Sequence, residues 1–118
     1  MYPILREGDN VQIKINASVS IGDVIIFVYK NNILTAHRLL KIENERYFCK
    51  GDNTLRLEDI NKDQIIGKVL LDNDKNNNPE FIQSSLNIAK LFRKCGYNAE
   101  KTKELPEYNE YKCRYLEL

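Results

Sequence analysis

Four short runs rich in β-branched and aromatic residues, VIIFVYK (24–30), ILTAHRLLKI (33–42), RYFCK (46–50) and QIIGKVLL (64–71), are separated by polar breaks about every ten residues. Runs of this length suit strands, because branched and aromatic side chains pack well on a pleated, half-buried surface. Upstream, Val11, Ile13 and Ile15 alternate with polar residues, the two-residue period of a strand with one buried face. The breaks have the right chemistry. Asn31-Asn32 tolerates the positive φ of a two-residue hairpin turn, Glu43-Asn44-Glu45 makes a second turn, and Gly51-Asp52-Asn53 opens a polar loop. The expected fold is therefore mainly β: a small, twisted, partly closed β assembly over residues 1–72, followed by one C-terminal amphipathic helix.

The pattern changes after Leu71. DNDKNNN (72–78) has no apolar residue, and 73–78 reads as a linker. Asn78-Pro79 is a helix start, with Asn as cap and Pro at the first helical position. Phe81, Ile82, Leu86, Ala89 and Phe92 then share one face at helical spacing, and Gly96 is a natural stop. The helix of 79–96 should pack on the β domain or on a partner, which makes an oligomer through 79–95 one expectation. The extension 97–118 carries Pro106 and Tyr97, Tyr108, Tyr111 and Tyr115, and YKCRYLEL reads as a closing edge strand.

Composition narrows the functional classes. A chain of 118 residues with 42% hydrophobic and 30% charged residues can bury a core as a single domain. Its net charge of +1 provides no global field for nucleic acid. The longest apolar run, VIIFVY, is too short to cross a bilayer, so no membrane segment is expected in these residues. Cys49, Cys95 and Cys113 are an odd, scattered set that fits a reducing, cytoplasmic setting. With one histidine, they offer no metal-ligand spacing.

That histidine, His37, lies in the run 33–42, where Ile33, Thr35, His37 and Leu39 fall on one face and Leu34, Ala36, Arg38 and Leu40 on the other. A lone histidine in a strand is commonly structural. A general base also needs a partner to fix its tautomer and stabilise the imidazolium. Asp52 and Asp59, both beyond the next strand, are the candidates, although Gly-Asp-Asn also reads as an ordinary turn.

Read in order, MYPILREGD, SIGDVIIFVYKNN, LTAHRLLKI, YFCKGDNTLRLED and IIGKV resemble the type I signal peptidase family, in its Ser-His branch, over residues 1 to about 70. The resemblance implies the signal peptidase/LexA-like fold and cleavage of a leader or signal peptide, with no cofactor. His37 then matches the general base. Asp52 in KGDN is the residue expected to orient the imidazole, with Asp59 in LED second and Arg38 in a structural ion pair. Met1 and Pro3 match the Met and Pro of a Ser-Met-x-Pro motif that shapes the cleft for an extended peptide. The nucleophilic Ser would immediately precede Met1. Ser18, Ser20, Thr35, Ser84 and Ser85 match no nucleophile motif. The 118 residues as written are thus expected not to cleave peptides, either because an upstream start supplies the Ser, and with it a membrane anchor in some relatives, or because this is a peptide-binding relative without catalysis. A structural or oligomerising domain is the third expectation.

Overall fold

Polar turns with left-handed residues join the runs into antiparallel hairpins. The computed structural model describes residues 11–29, 32–71 and 74–116, excepting the side chains of 75 and 113–116. Its strands are β1 (Gln12–Ile15), β2 (Val24–Tyr29), β3 (Ile33–Glu43), β4 (Arg46–Lys50), β5 (Glu58–Asn61) and β6 (Ile65–Leu70). They form one antiparallel, six-stranded sheet in the order β1-β6-β2-β3-β4-β5, with β1 and β5 as open edges. The β3–β4 turn places Asn44 at φ 52° and Glu45 at φ 63°, the backbone a tight hairpin demands of both central residues. β5 falls in a segment expected to be loop.

The period-two alternation of β2, β3 and β4 gives the sheet two faces. On the inner face Ile25, Phe27, Leu39, Cys49 and Ile60 form a buried cluster, edged by Val19, Tyr29, Tyr47 and Ile65. The outer face carries Val24, Arg38, Leu40 and Lys50, all buried. Bulges at Ile26/Phe27 and Leu39/Lys41 shift the pairing. Gly67 in β6 is required by a close approach: a Cβ there would lie 2.3 Å from the Lys14 carbonyl oxygen. Gly67→Ala is therefore expected to push β1 off the sheet at a cost of about 1–3 kcal/mol. Amide exchange should show lost protection at 12–15 while β2–β5 stay protected; unchanged protection in β1 would refute the prediction.

The helix α1 (Pro79–Lys94) begins where Asn78 accepts a hydrogen bond from Phe81 N and Pro79 occupies the first turn. Gly96, at φ 66°, ends it. Phe81, Ile82, Ser84, Ser85, Ile88, Ala89 and Phe92 are its buried residues, so the covered face includes Ile88 and two serines, while Leu86 is only half-buried. This face packs within the chain, on the outer side of β3 and on the following helices.

The C-terminal extension departs from expectation. It forms α2 (Ala99–Glu104) and α3 (Pro106–Leu116), and the edge strand expected of YKCRYLEL is helical through Leu116. Asn98 caps α2 by accepting from Lys101 N, and Pro106 occupies the start of α3. These helix-start signals prevail over the strand preference of the tyrosines, because Tyr108 gains burial beside α1. The expected linker is also anchored: Asp74 caps a 3-10 turn at Lys75–Asn77, and Asn76 is buried. No described helix is long and apolar enough to cross a membrane.

Candidate functional site

Arg38, on the outer face of β3, has five N–H bonds, and all five are used. Nε and Nη2 each donate to Asp52 at 2.9 Å, Nη1 donates to Asp74 at 2.7 Å and to the Gly22 carbonyl at 2.7 Å, and Nη2 donates to Asp74 at 3.1 Å. The guanidinium also lies 5.7 Å from the centre of the Phe81 ring on α1. Burial opposes the charge, but the hydrogen bonds donated to Asp52 and Asp74 raise the Arg38 pKa above its ordinary value. This network ties β3, the loop after β4, the turn before β2 and the 74–78 segment into one buried junction. The ion pair expected for Arg38 is thus formed with both Asp52 and Asp74.

Lys50 is directly opposite Arg38 in the β3–β4 register and is also buried. Its Nζ donates to the carbonyls of Gly51 at 3.0 Å and Thr54 at 2.7 Å. Desolvation lowers its pKa to about 7, with the Asp52 charge pulling the other way.

His37 occupies the inner face, one residue along the strand and on the other side of the sheet from Arg38. Its ring meets Phe27 edge-on at 5.6 Å between centroids, and it is half-buried. Nδ1 is enclosed and has no hydrogen-bond partner among the described residues. Burial lowers the imidazole pKa below 6.5, and the Glu58 carboxylate is the strongest influence raising it.

The two expected carboxylates do not meet this ring. Both Asp52 oxygens are taken by Arg38 on the outer face, where Asn76 Nδ2 also approaches at 3.4 Å. Asp59 points outward from β5 and pairs with Arg46 Nε at 2.8 Å, exposed to solvent. The physical reason is parity along the strand. With Ile60 buried in the inner cluster, Asp59 must face outward and Glu58 inward. Glu58 was missed because LEDIN was not read as a strand, yet the single buried Ile60 would have shown it.

Glu58 accepts a short hydrogen bond from the Tyr29 hydroxyl, across the inner face from β2 to β5. The same contact raises the Tyr29 pKa, first through the hydrogen bond to Glu58 and then by burial. Farther along this face, hollows of about 390 and 430 Å³ flank Tyr47, with Val19, Ile65 and Lys62 among their walls. Met1 and Pro3 lie outside the described residues. Ser84 and Ser85 are buried in α1 on the opposite side of the sheet from His37, with no hydrogen-bond partner for either Oγ among the described residues. Among the described residues, no group of three or more His, Cys, Asp or Glu side chains is arranged to hold a metal ion. Comparisons with protein-family models, curated proteins and solved structures find no match to this chain.

Proposed function

We propose that the inner face around His37 is a signal-peptidase-type site for an extended peptide, with His37 as the general base of a serine endopeptidase mechanism. One observation carries this reading: the half-buried His37 ring stands on the inner face, edge-on to Phe27, on the side of the sheet where the hollows beside Tyr47 lie, and its burial favours the uncharged imidazole that can accept a proton. The motif order from MYP to IIGKV supports it.

In this mechanism His37 takes the proton of a serine hydroxyl as the oxygen attacks the scissile carbonyl. The imidazolium returns that proton to the leaving amine, and water, activated by the same base, releases the acyl group. In the family that the motifs resemble, the nucleophilic serine directly precedes the Met that Met1 matches. The substrate is a leader or signal peptide bound in extended form, and the hollows beside Tyr47 can take its side chains.

The test compares the 118-residue chain with a version carrying a short upstream segment that ends in Ser immediately before Met1. Both are incubated with a library of extended peptides, and the products are read by mass spectrometry. Cleavage is expected in the serine-bearing version and should fall to background in its His37→Ala form. Equal cleavage with and without His37 overturns the reading. A second reading, peptide binding without hydrolysis, is favoured by the partnerless Nδ1, since a base normally has its second nitrogen held. It predicts saturable binding and no cleavage in either version.

A further inference from the structure

A histidine base works only if something holds its tautomer and balances the positive charge it acquires. Asp52 is committed to Arg38 on the other side of the sheet, and Asp59 is paired with Arg46 in solvent. The inner face has its own carboxylate. Cys49 of β4 pairs with Leu39 of β3 on one side and with Glu58 of β5 on the other, so Glu58 shares the inner face with His37 and lies in the cross-strand row of Leu39, two residues along β3 from it.

Gly51 keeps the loop beside the ring compact: a Cβ there would come 3.0 Å from Thr54 Cγ2, while at 3.5 Å from His37 Cδ2 it would meet the ring only in ordinary contact. Tyr29 contributes the second constraint. Its hydroxyl donates to Glu58 Oε2, which fixes the carboxylate from the far side and leaves Oε1 as an acceptor. Tyr29 also stacks in series with the base: its ring is 6.0 Å from Phe27, and Phe27 is 5.6 Å from His37.

We infer that Glu58, steadied by Tyr29, is the inner-face carboxylate that balances the His37 imidazolium, the part the resemblance gives to Asp52. Glu58 is a positioning residue: it acts through His37. The inference rests on His37 being the proposed base, yet the pairing itself is readable without turnover. Among the described residues the other charged groups acting on His37 are Lys50, which disfavours the imidazolium, and Asp52, which favours it more weakly than Glu58; the N-terminal amine also disfavours it.

His37 is the only histidine, so its ring proton resonance can be followed through a pH titration without assignment ambiguity. Glu58→Gln is expected to move the His37 midpoint to lower pH, because the supporting negative charge is gone. Asp59→Asn, one residue away but on the opposite face, is expected to leave it where it was. In the unmodified chain the Glu58 carboxyl carbon should show a step at the His37 midpoint, a readout that needs no variant to fold. A midpoint unchanged in Glu58→Gln, or no step at Glu58, overturns the inference. In the serine-bearing version Glu58→Gln should lower kcat by about tenfold or more with KM retained, and shift the acid limb of the pH–rate profile with the His37 midpoint. If that version never cleaves peptide but the titration shift is present, the peptidase reading falls and the Glu58–His37 pairing stands. If cleavage depends on His37 while Glu58→Gln leaves both midpoint and kcat unmoved, only the inference falls.

Discussion

Asp52→Ala is expected to destabilise the folded protein by about 3–5 kcal/mol, because it leaves the Arg38 guanidinium buried with one carboxylate instead of two. Arg38 is fully enclosed and Asp52 is 1% exposed, so water cannot replace the two lost hydrogen bonds without opening the junction between sheet and α1. For a domain of this size the loss corresponds to a fall in melting temperature of roughly 10–20 °C. Asp74→Ala should cost less, since its carboxylate is 11% exposed and water can approach the vacated position. Urea denaturation of both variants measures the difference. An Asp52→Ala loss below about 1 kcal/mol would mean that the buried pair does not hold the junction together. If Asp52 served His37 instead, the substitution would move the histidine titration and leave the denaturation midpoint nearly intact.

Stability should also rise with pH between about 7 and 9, and Lys50 is the cause. Its folded pKa, lowered to about 7 by burial, lies below the ordinary 10.5. Between those values the unfolded chain binds a proton at Lys50 that the folded chain does not, so unfolding becomes harder as pH increases. The associated stability is fully present above pH 10.5 and is lost as pH falls to about 7. Over pH 7 to 9 the gain is about 2 kcal/mol. Cys49 acts in the opposite sense at higher pH. Burial pushes its thiol from 9.0 up to about 12, so the stability it contributes is lost as pH rises through that interval. The two effects oppose each other above pH 9, and the interval from 7 to 9 belongs to Lys50. Lys50→Met should flatten the urea midpoint across that interval without lowering it at pH 7, since a buried ammonium is replaced by an apolar side chain of similar length. A slope that survives in Lys50→Met would assign the pH dependence to another group.

The sequence was most legible where one short-range rule governs. The β-branched and aromatic runs VIIFVYK and ILTAHRLLKI identified β2 and β3, and strand parity put Leu39 on the His37 side and Arg38 and Leu40 on the other. Asn78-Pro79 and Gly96 bounded α1 to within a residue or two. Legibility failed where two local signals competed. In the C-terminal extension the tyrosines of YKCRYLEL read as strand, yet Asn98 and Pro106 begin helices whose burial against α1 outweighs intrinsic preference. β5 failed for a different reason. It is only four residues long, three of them polar, and its identity as a strand comes from pairing with β4 rather than from its own composition.

The site divides along the same line. His37 and its face were set by strand parity, which is a property of the chain alone. Its partner was not, because parity assigns a residue to a face only once the strand is known, and β5 becomes a strand only beside β4. The β3–β4 turn led to the expectation that the Asp52 loop lies near the end of the His37 strand; in the fold Asp52 meets Arg38 on the outer face instead, since one residue along β3 reverses the direction of a side chain. Arg38, with its five donors, then claimed Asp52 for the buried junction. What remained for the imidazole was the carboxylate that Ile60 turned inward. Alternation and caps are settled within a few residues of each position, so the sequence determined the strands, the first helix and the face of the histidine. Which charges meet across the sheet depends on which strands pair and on what the helix covers, and that only the tertiary structure decided.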